Sequence, residues 1–146
     1  MYTEQITQAM AIGLPVNPQV INNASKLAGG VDMSLSRRAI FILEIGAVTG
    51  GGSINAQLVE DVNQNLSTAT NLAGNNTSVT GLTTANKITT FEVRAGQLSK
   101  RYLGLKITET GSQNVVLCCL AWGDEGVHKP NNANNGTNVA TQNVVS

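Results

Sequence analysis

The chain contains few charged and few aromatic residues for its length of 146 residues. Charged side chains make up 12% of it, about half of the ~25% usual in globular domains. Nine basic and nine acidic residues cancel, so no field of one sign attracts nucleic acid or anionic lipid over long range. Aromatic residues make up 3%, too few for the stacking that binds sugars or bases. We therefore expect neither a nucleic-acid nor a membrane partner.

Histidine and cysteine are also scarce. His128 is the only histidine, which excludes a multi-histidine metal site or a histidine-dependent triad within one chain. Asp124, Glu125 and His128 could form a small metal site at a strand end. No further ligand lies near them in sequence, and we predict a solvated turn instead. Cys118 and Cys119 are adjacent, so in a strand their side chains point to opposite faces and do not pair. No metal or cofactor is expected.

Neither a catalytic motif nor a membrane segment stands out. No run of residues approaches the ~18 unbroken apolar residues of a membrane helix, and the N-terminal residues lack the basic and apolar regions of a signal peptide. The glycines at 50–52 are not a phosphate-binding loop, because no lysine follows and the next segment predicts a strand. Glu60, Asp61 and Glu92 are carboxylates without the aromatic-lined cleft that a glycosidase needs. These observations predict a protein that is not an enzyme.

What the chain does contain is a series of strand-like segments separated by Gly, Asn, Thr and Ser. Residues 39–48 and 115–122 are nearly continuous in apolar residues, which predicts two central strands buried on both faces. Residues 54–59 alternate, and the glycine-rich turn before them predicts a hairpin with 39–48. Glu44 interrupts the first apolar run, at a bulge, opposite a basic residue or in an inter-subunit contact. The pattern predicts an all-β, antiparallel two-sheet β-sandwich, jelly-roll or Greek-key-like.

The pattern also predicts three segments. Residues 1–30 read as an extended N-terminal arm, residues 31–128 as the β-sandwich domain, and residues 129–146 as an Asn-rich, low-complexity C-terminal tail. The arm either covers the domain's own sheet or reaches a neighbouring subunit, and the end of the tail could add a strand to a neighbouring sheet edge. The predicted subunit or capsid interface residues are Ile6, Met10, Ile12, Leu14, Val16, Val144 and Val145.

Three segments of the chain carry a resemblance to a known group of proteins. They are VDMSLSRRAIFILEIGAVTGG, LTTANKITTFEVRAGQLSKRYLGLKIT and VVLCCLAWGDEGVHKP. In this order they resemble small head proteins of tailed bacteriophages, over roughly residues 31–130. The resemblance implies a capsid decoration or cement protein that bridges neighbouring major capsid proteins. It also implies a homo-oligomer, with a trimer expected, on the capsid surface of virions made in the host bacterial cytoplasm.

One rival function belongs to a different class. A tail-associated or adhesin-like β-sandwich could recognise a cell-surface glycan. That function would require a concave patch with exposed aromatic side chains, and the low aromatic content argues against it.

Overall fold

Two antiparallel β-sheets lie face to face in the computed structural model, which describes residues 10–126. The prediction of an all-β, antiparallel two-sheet sandwich is confirmed. Within these residues the only helical element is a short 3-10 turn at Ala95–Gln97, so the described part of the chain has no helix long and apolar enough to cross a membrane. In chain order the strands are β1 (Ala11–Ile12), β2 (Val16–Ile21), β3 (Ser25–Asp32), β4 (Ser36–Val48), β5 (Ser53–Asp61), β6 (Thr70–Asn71), β7 (Ser78–Leu82), β8 (Lys87–Arg94), β9 (Tyr102–Thr110) and β10 (Val115–Gly126).

The strands divide equally between the two sheets. Sheet A has the order β1–β10–β4–β8, with β2 also paired to β10. Sheet B has the order β3–β9–β5–β6, with β7 also paired to β5. The core between the sheets is formed by alternate residues of their strands, as the twofold period of a strand requires. The largest core side chains with no exposed surface include Phe41, Leu43, Ile45, Leu103, Leu105 and Ile107.

Strands β4 and β10 lie side by side at the centre of sheet A, but they are not buried on both faces as predicted. Phe41 and Cys119 point into the core and are fully buried. Their neighbours point the other way: Ile42 is only half-buried, and Leu120 is 53% exposed. The prediction was wrong because sheet B packs on one face of β4 and β10, while no described residue forms a layer on the other.

The predicted hairpin between β4 and β5 is also wrong. β4 pairs with β10 and β8, whereas β5 pairs with β9, β6 and β7. The turn at residues 49–52 therefore carries the chain from sheet A across to sheet B. A glycine-rich turn shows that the chain reverses, but it does not show whether the chain returns beside the first strand or opposite it. Both strands have an apolar inner face, so either arrangement satisfies their pattern.

The boundary predicted at residue 30 falls inside β3. β1 and β2 pair with β10, and β3 pairs with β9, so residues 11–30 form strands in both sheets of the sandwich. The glycine pair before the predicted boundary is a bulge within β3, since the register with β9 shifts between Gly29 and Val31. At φ 121° Gly29 has a conformation that favours glycine, and a β-carbon there would lie 2.7 Å from the carbonyl oxygen of Leu103. The remainder of the predicted arm and the predicted tail lie outside the described residues.

Candidate functional site

The outer face of sheet A, which points away from the core, is the most apolar exposed surface in the described part of the chain. Strand pairing aligns its side chains in rows across the sheet. Six large apolar residues are more than about a third exposed within residues 10–126, and four of them lie on this face: Val20, Ile88, Val116 and Leu120. Such a cluster differs from the scattered apolar residues of an ordinary surface, which makes this face the candidate interaction site.

The rows show how continuous this face is. One row joins Ile12, Trp122 and Ile40 before it reaches Glu92. The next joins Leu120, Ile42 and Thr90, the third joins Cys118, Glu44 and Ile88, and the fourth joins Val116 and Val20. We call the apolar members of these four rows the apolar patch; they are Ile12, Val20, Ile40, Ile42, Ile88, Val116, Cys118, Leu120 and Trp122.

The outer face of sheet B has the opposite character. Along β9 and β5 its side chains alternate with the buried ones, and Lys106, Thr108, Asn55 and Gln57 point outward. Leu27 of β3, paired with Lys106, is an isolated exposed leucine among them. Because the two outer faces belong to one domain, the apolar patch is a property of sheet A and not of the whole surface.

Charged side chains are placed at opposite ends of the apolar patch. At one end the Arg38 guanidinium lies 2.5 Å from a carboxylate oxygen of Asp124 and 3.4 Å from one of Glu92. Arg94 stands beside Arg38 in register and forms no ion pair within the described residues. At the other end Glu44 is exposed, and the contact found for its carboxylate is with the Cys118 thiol, which donates to Oε2 at 3.7 Å. Within residues 10–126, a carboxylate and a guanidinium that form no ion pair thus lie six residues apart along the strands.

A shallow depression of about 220 Å³ surrounds this carboxylate. It is lined by Pro18, Glu44, Gly46, Val116 and Cys118, among others. A β-carbon at Gly46 would be in ordinary contact with the side chain of Val116, at 3.4 Å. The lining of the depression is mostly apolar and includes one carboxylate, which suits an apolar side chain or a cation from a partner.

The two cysteines lie on opposite faces of β10, and both are free, as predicted. Cys119 belongs to the core, and burial, together with the nearby Cys118, raises the pKa of its thiol to about 12. Cys118 belongs to the apolar patch, where burial and then the Glu44 carboxylate raise its pKa. A thiol reacts as its thiolate. Neither cysteine is therefore activated as a nucleophile.

The carboxylates at the ends of the strands hold loops in place. Glu60 accepts hydrogen bonds from the backbone N–H groups of Ser99 at 2.8 Å and Lys100 at 3.1 Å, and from the Ser99 hydroxyl at 2.5 Å. Burial raises the pKa of Glu60, but these bonds outweigh it, and the net pKa is lowered. The pKa of Asp61 is lowered in the same way. Burial raises it, but hydrogen bonds from Asn63 and Thr68 outweigh burial.

Two further carboxylates act similarly. Asp32 accepts from the Ser34 backbone at 3.0 Å and from the Arg101 guanidinium at 2.6 Å, and these bonds outweigh burial and lower its pKa. Glu109 is buried and accepts from the backbone N–H groups of Asn23 and Gln113. Since the oxygens of these groups are engaged by loop donors, they support structure and are poorly placed for acid–base chemistry.

No group of three or more His, Cys, Asp or Glu residues that could hold a metal ion occurs within residues 10–126. The sequence offers Asp124, Glu125 and His128 as a possible metal site, and of these Asp124 is paired with Arg38. The side chain of Glu125 and the whole of His128 lie outside the described part, so the trio stays untested. The described carboxylates and thiols offer no ligand set for a metal.

The predicted interface residues fall in different places. Ile12 lies in β1 at the edge of the apolar patch, and Met10 and Leu14 are half-buried beside β1. Leu14 pairs with Gly29 and lines a cleft with Asn63, Gln64 and Asn65. Val16 is a core residue, 4% exposed, because β2 turns it toward sheet B. It is therefore buried within the sandwich, and its part in an interface stays a prediction. Ile6, Val144 and Val145 lie outside the described residues.

Comparisons of the chain with protein-family models, curated proteins and solved structures find no match. The candidate site consequently depends on geometry and chemistry alone. That geometry identifies surface residues that the sequence prediction missed, chiefly Val20, Ile88, Val116 and Leu120. A signal for Val116 and Leu120 was present, because β10 does not alternate between apolar and polar residues as a strand with one solvent-exposed face does.

Proposed function

We propose that this chain is a non-enzymatic structural protein of a virion, which decorates and cements a bacteriophage capsid by bridging neighbouring major capsid proteins. The observation that carries the proposal is the uncovered apolar patch on a two-sheet sandwich. A protein with such a face is completed by another protein surface. The order of the three sequence segments that resemble phage head proteins supplies the capsid as the setting.

Electrostatics support an assembly role of this kind. The formal net charge is zero at pH 7, so no net self-repulsion keeps copies apart. At one end of the apolar patch Arg38 pairs with Glu92 and Asp124. At the other end charged side chains are sparse. A cement protein can use modest contacts because many copies act together on a repeating lattice. Attachment through apolar contacts also changes little with salt, unlike attachment through a charged surface.

The proposal is tested by binding to capsids that lack the protein. Purified chain is mixed with such capsids, pelleted, and counted by quantitative gel densitometry, with capsid stability followed by thermal release of DNA. We expect saturable binding at a fixed number of copies per capsid and a higher release temperature. Leu120→Gln should weaken both effects, while Leu27→Gln on sheet B should change neither. Capsids that bind no protein at saturating concentration would refute the capsid role.

The glycan-binding alternative has no specific observation in its favour. Phe41 and Phe91 are core residues. The Arg101 guanidinium lies over the Tyr102 ring, 5.1 Å from the centre of that ring. Trp122 is half-buried in the apolar patch, between Ile12 and Ile40. None of these described aromatic side chains lines a concave polar cleft of the kind that binds a sugar.

A further inference from the structure

We propose that the apolar patch binds a second copy of this chain, face to face and turned end for end, in a two-fold dimer. The inference goes beyond the proposed function because it concerns the free protein. In solution a second copy covers the same apolar patch that the proposed function assigns to a capsid protein, so the two partners compete for it. Its basis is the self-complementarity of the outer face of sheet A. In a two-fold interface the same surface occurs on both sides. Each charged or apolar group must therefore face a complementary group of that same surface on the other copy.

The charges provide that complement. Glu44 pairs in register with Ile88, and Arg94 lies six residues farther along β8, about 20 Å away at ~3.4 Å per residue. In a copy rotated about an axis across the strands, the direction of every strand is reversed. The Glu44 end of each copy then covers the Arg38 and Arg94 end of the other. Both otherwise unpaired charges are satisfied, twice per dimer, and the apolar rows meet between them.

A copy packed in the same strand direction does not satisfy them. It would bring the two Glu44 ends together and the two Arg94 ends together, so each Glu44 would stay about 20 Å along the strands from Arg94. Like charges brought near each other also oppose association. Charge complementarity therefore selects a second copy and also selects its orientation. A partner without a basic group near Glu44 would leave this carboxylate enclosed in an apolar contact without a counterion, which is costly.

The size of the face suits a stable dimer. Four strands spaced ~4.8 Å apart and about nine residues long, at ~3.4 Å per residue, give a flat area of about 600 Å². The accessible area of a face covered by side chains exceeds its flat area, and stable interfaces cover about 800 Å² per partner. Two sheets stacked ~10 Å apart would form a second apolar layer outside the core. Trp122 and Leu120 would lie within it.

The self-association of the purified chain tests this directly, without capsids. Sedimentation equilibrium over a concentration series should give a dimer mass. Trp122 is the only tryptophan, so its emission should shift to the blue as the concentration rises. Leu120→Gln should weaken dimerisation about tenfold or more, since the lost burial counts twice. Leu27→Gln provides the matched control and should leave the dimer unchanged, and thermal melting should show both variants folded.

A charge exchange tests the orientation. Glu44→Arg and Arg94→Glu should each weaken the dimer, whereas the double variant should recover most of the affinity, because each new charge again faces its opposite. Lys106→Glu on the outer face of sheet B serves as the control for a change of charge. A double variant as weak as the two single effects combined would overturn the end-for-end arrangement.

Three other outcomes would also overturn the dimer. They are a monomer at every concentration, a trimer mass that Leu120→Gln does not change, and a dimer that Leu120→Gln leaves intact. Each is distinguishable from failure of the proposed function. A monomer that still binds capsids would refute the dimer and keep the capsid role, while a dimer that binds no capsid would do the reverse.

Discussion

Replacing Glu60 by glutamine should destabilise the fold at neutral pH and leave its stability nearly unchanged in acid. Glu60 is 6% exposed and holds residues 99–100 through three hydrogen bonds. Glutamine has the same shape. Its amide oxygen can accept from both backbone N–H groups, and its amide nitrogen can donate to the Ser99 hydroxyl. The substitution therefore removes the charge and keeps most of the geometry.

The magnitude follows from that difference. Hydrogen bonds to a charged group contribute about 1.5–3 kcal/mol and neutral ones about 0.5–1.5 kcal/mol. The three bonds share one carboxylate, and part of the loss is recovered because a neutral side chain is less costly to bury. We expect Glu60→Gln to lower the free energy of unfolding by about 1–2 kcal/mol at neutral pH. Glu92→Gln is the matched control, because the Glu92 side chain is 51% exposed and its ion pair with Arg38 is long, 3.4 Å. Its effect should stay below about 1 kcal/mol.

The pH dependence distinguishes charge from shape. The pKa of folded Glu60 is lowered from its ordinary value of 4.5. Its stabilising contribution is therefore complete above that value and is lost as the pH falls through the folded pKa. Urea titrations of wild type and Glu60→Gln should show their difference in unfolding free energy shrinking toward zero in acid. A difference that stays constant from neutral pH to about pH 3 would show that the carboxylate charge is not what holds residues 99–100.

Two further predictions concern the core. Gly104→Ala should destabilise the fold by about 1–3 kcal/mol, measured by chemical denaturation. A β-carbon at Gly104 would overlap the Leu66 side chain and lie 2.9 Å from the Ala28 carbonyl oxygen; an unchanged midpoint would show that Leu66 moves away freely. In the folded protein a maleimide should modify Cys118 slowly and Cys119 only after unfolding, because Cys119 is in the core and its pKa is about 12. Equal rates, followed by mass spectrometry of peptides, would contradict the burial of Cys119.

The fold class was predictable because strand patterns are local. Alternation in β5 and β9 and apolar runs in β4 and β10 follow from which side chains face the core. Pairing was not predictable in the same way. Nothing in residues 49–52 distinguishes a hairpin from a crossing between sheets, so β4 and β5 were assigned to one sheet. Residues 11–30 suggest an arm because β1 and β2 are short and Pro15 and Pro18 lie between and within them. Their partner β10 lies about a hundred residues away along the chain.

The candidate site was predictable only in part. The absence of a catalytic motif suggests a structural role, but the sequence places the candidate interface at the chain ends, whereas the exposed apolar patch lies on the outer face of sheet A. The loop contacts of Glu60 and Asp32 were missed, because each depends on a donor that folding brings from far along the chain. Ser99 is 39 residues from Glu60, and Arg101 is 69 residues from Asp32. A single sequence carries no sign of such a partner.

The apolar character of β4 and β10 is explained best by considering both of their faces. In an isolated domain, selection for solubility favours polar residues at positions such as 42, 88 and 120, because large exposed apolar patches promote association. These positions hold Ile42, Ile88 and Leu120, while the corresponding face of sheet B holds Asn55, Gln57 and Lys106. Double burial was the wrong prediction for one chain, yet it is what a face-to-face dimer would produce. If the dimer forms, two contacts explain the unbroken apolar runs. One is the core within the sandwich, and the other is the interface between copies.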